Sequence, residues 1–335
     1  MKPTLTIAIP TYNRNDTLRR NLALLLPQIT EQCCLLIVDN ASTVPVAETL
    51  SDLLEEHPQV QVAIRRNPVN IGACANVLRC LEIAETEWVW TLSDDDEPLA
   101  GCVATILGAV ASHPDAVYLN FASEHGNRTR AYSTSGQSEF VEALDSFDAV
   151  LFLPSGVLRR TALRDHFKIG YMYAYSLAPH LAVLLSVLGP DKRCYFLSDR
   201  LIKWTMPCSE QRWPLRSYLL GIATLEELLE CGASRKALAQ KILAGGYPSL
   251  EGCVVYLIKY AMSKNSYTRC LHEYDQVVNR LYYFKRSPLW RLKKMLYRLI
   301  FLAPRIAVPV LASMPAIARR LKNSCPEIAT AEERL

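Results

Sequence analysis

Three consecutive carboxylates, Asp94, Asp95 and Asp96, stand where the sequence could do chemistry. They follow Trp88-Val-Trp-Thr-Leu92, a run of aromatic, β-branched and aliphatic residues that suits a strand buried on both faces. Pro98 stops that strand from continuing. Like charges this close raise one another's pKa values unless a cation sits among them. Hard oxygen donors beside a phosphorylated substrate suit Mg²⁺ or Mn²⁺. Taken alone, the segment is equally compatible with a solvated acidic turn after an edge strand.

The elements that must position this tip can be read from the first hundred residues. Leu5 to Pro10, Cys34 to Val38, Val60 to Ile64 and Trp88 to Leu92 read as buried strands. Helices are expected over Thr17 to Leu26, with Asn15 or Asp16 as its cap, over Val46 to Glu56 and over Ala73 to Glu85. Strands alternating with helices predict an α/β domain with a mainly parallel sheet. In such sheets ligands bind beyond the carboxyl ends of the strands. The polar clusters all fall at those ends: Thr11 to Arg14, Asp39 to Ser42, Asn67 to Gly72, and Asp94 to Asp96. Polarity placed on one side only argues for a site there.

The totals exclude several classes. The chain has 335 residues, half of them hydrophobic, so it can bury a large core. A net charge of +4 is too modest to call for nucleic acid as a partner. The 11 cysteines form no C-x-x-C pair and no signal peptide is evident, so reduced thiols in a cytoplasmic protein are expected. No apolar run is long enough to span a bilayer.

Ile9-Pro-Thr-Tyr-Asn-Arg14, Val38-Asp-Asn-Ala-Ser42, Asn70-Ile-Gly-Ala-Cys-Ala-Asn76 and Ser93-Asp-Asp-Asp96 together resemble the nucleotide-sugar motifs of family 2 glycosyltransferases. The resemblance covers roughly residues 4 to 100. It implies a GT-A fold, Rossmann-like with a mainly parallel mixed sheet, and a nucleoside diphosphate sugar donor, with UDP the expected nucleotide. It further implies that Pro10, Thr11, Tyr12 and Arg14 line the nucleobase pocket and that Asp39 accepts a hydrogen bond from the base. Arg66, Asn70 and Asn76 would lie along the nucleotide, with Gly72 letting the backbone approach closely. Asp94 and Asp95 would contact the nucleotide sugar, and Asp95 and Asp96 would contact the ribose and hold Mn²⁺ or Mg²⁺ on the diphosphate. Ser93 departs from the pattern, since the family often has an acid there. Two simpler roles stay open: Asp39 as a helix cap, and Asn70 with Gly72 as turn formers.

An inverting transfer needs a general base near the acceptor hydroxyl. The family usually supplies it from an acidic pair about eighty residues past the metal motif. Here Pro179-His180 falls at that place with no carboxylate nearby, so His180 is the candidate, the alternative being a helix-start residue bonded to a carbonyl. Ser123 to Gln137 reads as a surface loop. Tyr171, Tyr173 and Tyr175 form either an acceptor platform or ordinary packing.

The division expected is a GT-A catalytic domain over residues 1–213 and an α-helical C-terminal region over 214–335. Leu289, Leu292, Leu296 and Leu299 repeat at helical spacing, with Arg291, Lys294 and Arg298 on another face. That end suits either lying in a membrane interface or capping the catalytic domain. The expected activity is an inverting, metal-dependent glycosyltransferase that extends a lipopolysaccharide, O-antigen or capsule glycan at the inner face of the cytoplasmic membrane. A sugar nucleotidyltransferase would instead open with a Gly-rich basic loop. A glycan-binding scaffold would share the fold and lack the base.

Overall fold

The computed structural model describes residues 3–205, 220–245 and 249–304. The expected boundary at 213/214 and the basic residues Arg319, Arg320 and Lys322 lie outside them. Eight strands form one sheet: β1 (Leu5–Thr11), β2 (Cys33–Asp39), β3 (Gln61–Arg66), β4 (Trp88–Thr91), β6 (Ala116–Ala122), β7 (Tyr132–Ser135), β8 (Gly156–Arg159) and β9 (Arg193–Arg200). Their order is β3-β2-β1-β4-β8-β6-β9-β7. The first four are mutually parallel, β8 runs against β4 and β6, and β9 is parallel to β6. The carboxyl ends of β1 to β4, β6 and β9 therefore open on one edge. A second, two-stranded ribbon pairs β5 (Glu97–Pro98) with β10 (Ile202–Lys203) across that edge.

Alternation along the strands builds two layers. Leu5, Ile7 and Ile9 of β1 pack with Trp88 and Trp90 and with helices α1 (Asn15–Leu25), α2 (Val46–Glu55) and α4 (Cys102–Ser112). Ala8, Leu36, Val38 and Val89 face the opposite layer, which holds α3 (Ala73–Ile83), α5 (Gly136–Ala143) and α9 (Pro179–Val187). Each fully buried leucine or isoleucine in these layers contributes about 1.5–3 kcal/mol. The short helices α6 (Asp148–Leu151), α7 (Arg160–Leu163) and α8 (Phe167–Met172) join β7 to α9.

The C-terminal helices are α10 (Gly232–Ala244), α11 (Leu250–Lys264), α12 (Tyr267–Leu281) and α13 (Pro288–Leu302). Their buried residues, Leu238, Leu257, Tyr274 and Phe301 among them, belong to the same hydrophobic cluster as α3 and α9. The region thus packs onto one face of the sheet.

Two local expectations are corrected. The helix start expected at Asn15 or Asp16 caps instead at Arg14, with no side-chain capping bond, because a guanidinium has only donors and cannot accept the first N–H groups. The expected surface loop Ser123 to Gln137 contains edge strand β7, held by Tyr132 stacked on Phe196 at 4.6 Å and by the buried Arg128. Arg128 donates to the carbonyls of Asn120 and Leu197 and lies over both rings.

Candidate active site

The acidic tip is enclosed. Asp94 and Asp96 are 4% and 3% exposed, and only Asp95 is partly open to solvent. The repulsion expected among three carboxylates is relieved for two of them from within the chain. Arg14 Nη1 donates to Asp94 Oδ1 at 2.7 Å and to Asp95 Oδ2 at 2.8 Å. Burial works against the charged guanidinium, but Asp94 and Asp95 outweigh it and raise its pKa. Burial also pushes the Asp94 carboxyl up, with Arg14 opposing. Asn21 of α1 donates to the Asp94 carbonyl at 3.0 Å and fixes the backbone of the turn.

Asp96 is different. Its Oδ1 accepts the Thr205 N–H at 3.1 Å, Ser93 also bonds to the carboxylate, and it has no ion-pair partner among the described residues. Burial, together with Asp95 and Asp94, pushes its carboxyl up to about 7. A buried carboxylate of that kind is satisfied by a cation. No group of three or more His, Cys, Asp or Glu side chains among the described residues is arranged to hold one by itself. The donor set fits a hard divalent ion bound by one or two carboxylates and completed by substrate phosphates and water.

Beside the tip, the loops after β1, β2 and β3 are knitted together. The strand register places Thr11 opposite Asp39, and Asp39 opposite Arg66. Asp39 Oδ1 accepts the Ser42 N–H, and its Oδ2 accepts the Val46 N–H and Arg66 Nη1. Burial pushes Asp39 up, yet these donors win and hold it below the usual carboxylate range. Its carboxylate thus meets the first N–H of α2, whose N-cap position is Pro45. Asn13, at φ 54°, accepts the Thr43 N–H and its own N–H donates to Ser42 Oγ. Asn70 accepts from Asn40 and from the Gly72 N–H, and Gly72 takes φ 84°, a conformation other residues resist. Asn76 accepts from Asn67 and donates to the Val38 carbonyl. Asn40 and Asn67, expected from sequence only as members of the strand-end clusters and assigned no role, sit at the centre of this network. Their signal was a run of amides at three strand ends. Pro10 ends within β1, and Tyr12 stands exposed at the rim.

The far half of the edge is built by β6, β8 and β9. Leu99 N–H donates to Leu201 O, and the β5–β10 ribbon brings Trp204 and Thr205 to Asp96. The Trp204 indole meets the His125 ring edge-on at 5.2 Å, and His125 also packs on Phe152 at 4.7 Å. His125 follows β6, so it stands at the carboxyl-end edge. Nothing local in the sequence marked it.

His180 is placed elsewhere than the expectation needs. It is 5% exposed, inside the core at the start of α9, with Nε2 donating to the Val150 carbonyl at 3.2 Å. Burial lowers its pKa to about 4. An enclosed imidazole already bonded to a carbonyl cannot reach an acceptor hydroxyl in this arrangement, so the geometry corrects the candidacy to a packing role. The tyrosine platform is likewise not at the edge. Tyr171 donates to Glu82 at 2.9 Å, at the end of α3 remote from Gly72, and Tyr173 donates to Glu227.

Residues 6–167 match the model of the family described as glycosyl transferase family 2. The chain is similar to the abequosyltransferase RfbV of Salmonella typhimurium, 29% identical over 221 residues, or 59% of this chain. That match takes in 65% of the relative, just under two thirds of its length. Among solved structures it resembles residues 1–349 of S. aureus TarS, at 14% identity and TM-score 0.58, covering 82% of this chain and 81% of that one. The same TarS fragment has been solved in complex with UDP-GlcNAc. The mannosyltransferase PcManGT of Pyrobaculum calidifontis, solved with GDP-Man and Mn²⁺, matches at 14% identity and TM-score 0.52 over 85% of this chain and 89% of that one. At such identities these structures speak to the fold.

Proposed function

We propose that this chain, whose residues 6–167 match the glycosyl transferase family 2 model and whose fold resembles that of TarS, transfers a sugar, with inversion, from a nucleoside diphosphate sugar to a growing bacterial surface glycan. The observation that carries this is the enclosed carboxylate tip beside the Thr11, Asp39 and Arg66 strand ends. Transfer breaks the bond between the anomeric carbon and the phosphate oxygen, forms a bond to the acceptor oxygen, and leaves a diphosphate. A divalent ion, Mn²⁺ or Mg²⁺, bound at Asp95 and Asp96 would offset the negative charge that develops on that leaving group.

The chain's own groups do the rest. Arg14 offsets one of the two negative charges on Asp94 and Asp95, so the tip repels a diphosphate less than three bare carboxylates would. The loops of Thr11 to Arg14, Asp39 to Ser42 and Asn67 to Gly72 form the wall for base and ribose, with Tyr12 exposed at its rim. The Asn40–Asn67–Asn76 network holds that wall in place. Asn70 and Gly72 set the turn that admits the nucleotide. Trp204 and His125 border the sugar from the other side. The acceptor proton passes to an imidazole at this edge, and we assign that role to His125 in place of His180. Its support is its position after β6 and its ring packing beside Trp204, which leaves it partly open.

The similarity to an abequosyltransferase favours an O-antigen acceptor, and TarS and PcManGT in their UDP-GlcNAc and GDP-Man complexes favour a nucleoside diphosphate donor. UDP is the nucleotide we favour. Such an acceptor is lipid-linked and would be met at the inner face of the cytoplasmic membrane. The test is a screen of UDP-, GDP-, CDP- and dTDP-sugars for nucleotide release in the presence of Mn²⁺ or Mg²⁺. Release from one donor, abolished by chelator, is expected. Release from none of them, with or without metal, would remove the proposal.

A further inference from the structure

Helix α13 packs through one face and leaves another bare. Trp290, Tyr297, Ile300 and Phe301 turn inward, and Tyr274 Oη donates to the Lys294 carbonyl. On the outer side Leu289, Leu292, Met295, Leu296, Leu299 and Leu302 are between 44% and 74% exposed. At about 100° per residue these six fall in one unbroken arc. The arc is bordered by Arg291 and Arg298 on one side and by Lys293 on the other; Arg298 pairs with Asp275 and Lys293 with Glu251, which leaves Arg291 as the border cation with no ion pair among the described residues. The helix carries no acidic residue. A contiguous exposed apolar surface of this size marks an interaction site.

We propose that this arc of α13 is a membrane-contact surface, which enters the headgroup layer of an anionic bilayer with its leucines buried and its basic border on the phosphates. The charge pattern selects the occupant. Lys285 and Arg286 precede the helix and Arg291 lies in its first turn, where the helix dipole already disfavours cations. Arg286 and Arg291 make no ion pair among the described residues. The Lys294 ammonium is pushed down by burial and by Arg286, Arg291 and Lys285, so like charges crowd the start of this helix. A second copy of this chain would bring the same basic border against itself and supply no acid from this helix. An anionic lipid surface supplies what is missing and takes the apolar arc as well. The contact rests on the transfer reading only for which lipid-linked glycan it would approach, and it is tested with no donor present.

The full chain is floated with vesicles of phosphatidylcholine alone and of phosphatidylcholine mixed with phosphatidylglycerol. Flotation is expected with the mixed vesicles and not with the neutral ones. Leu292→Glu with Leu296→Glu should cut the bound fraction roughly tenfold or more, and Arg286→Gln with Arg291→Gln should weaken binding and flatten its salt dependence. Both pairs are exposed, so an unchanged melting temperature verifies the fold. No flotation of the parent chain, or unaltered flotation of the leucine pair, overturns the proposal. So does a dimer in sedimentation that the leucine pair dissolves while no vesicle binding is seen, which would make the arc an interface between copies. Failure of the donor screen leaves these outcomes untouched.

Discussion

The tip after β4 and the outer face of α13 each reverse the ordinary placement of residues. In the first, carboxylates are shut away from water; in the second, leucines stand in it. Ordinary surface and core need no ligand to explain them, but each of these inversions costs free energy until something binds. The chain compensates the two differently. At the tip, Arg14 pairs with Asp94 and Asp95, while Asp96 has the Thr205 N–H but no ion pair among the described residues. On α13 nothing among the described residues covers the arc.

Substitutions can separate the two. The largest effect expected is on chemistry: Asp96→Asn should lower transfer by roughly 10³, while the fold survives, because the removed charge has no basic partner among the described residues. A steady-state assay at saturating donor measures it, and full activity would break the contrast at its acidic end. Next, His125→Ala should cost about 10² in turnover with nucleotide affinity unchanged, whereas His180→Gln should keep turnover.

His180→Gln sharpens a second point. The parent imidazole ionises near 6.5 when unfolded and near 4 in the fold, so its stabilising effect is complete above 6.5 and is lost as pH falls toward 4. Denaturant titrations should show up to about 3 kcal/mol of acid sensitivity in this window that the glutamine variant lacks. Arg14→Gln should destabilise by about 2 kcal/mol, since it leaves Asp94 and Asp95 uncompensated. Smallest of all, Leu292→Glu should change stability by no more than about 0.5 kcal/mol, as befits a half-exposed side chain on the outer face. A large loss there would mean the arc is covered after all.

Much of the fold could be read along the chain, because β1 to β4 and the intervening helices are local patterns and their carboxyl ends carry the polar clusters. What escaped depends on contacts across long stretches of sequence. The β5–β10 ribbon joins Pro98 to Ile202, and no local feature of either dipeptide announces it. His125 matters because of Trp204, and Arg14 because its guanidinium crosses to Asp94 and Asp95. His180 misled for the converse reason, since its position in sequence suited a base while its helix buries it. On α13 the leucine spacing was visible, but the spacing is silent about which of two apolar faces packs. The aromatic one, with Trp290, Tyr297 and Phe301, is the face that does.

The most direct measurement is calorimetry of nucleoside diphosphates against the parent chain and Asp96→Asn, with and without Mn²⁺. One nucleotide should bind the parent chain roughly tenfold or more tightly when the metal is present, and the asparagine variant should lose that gain. Equal metal-dependent binding by both proteins would contradict the assignment of the buried tip as the diphosphate site.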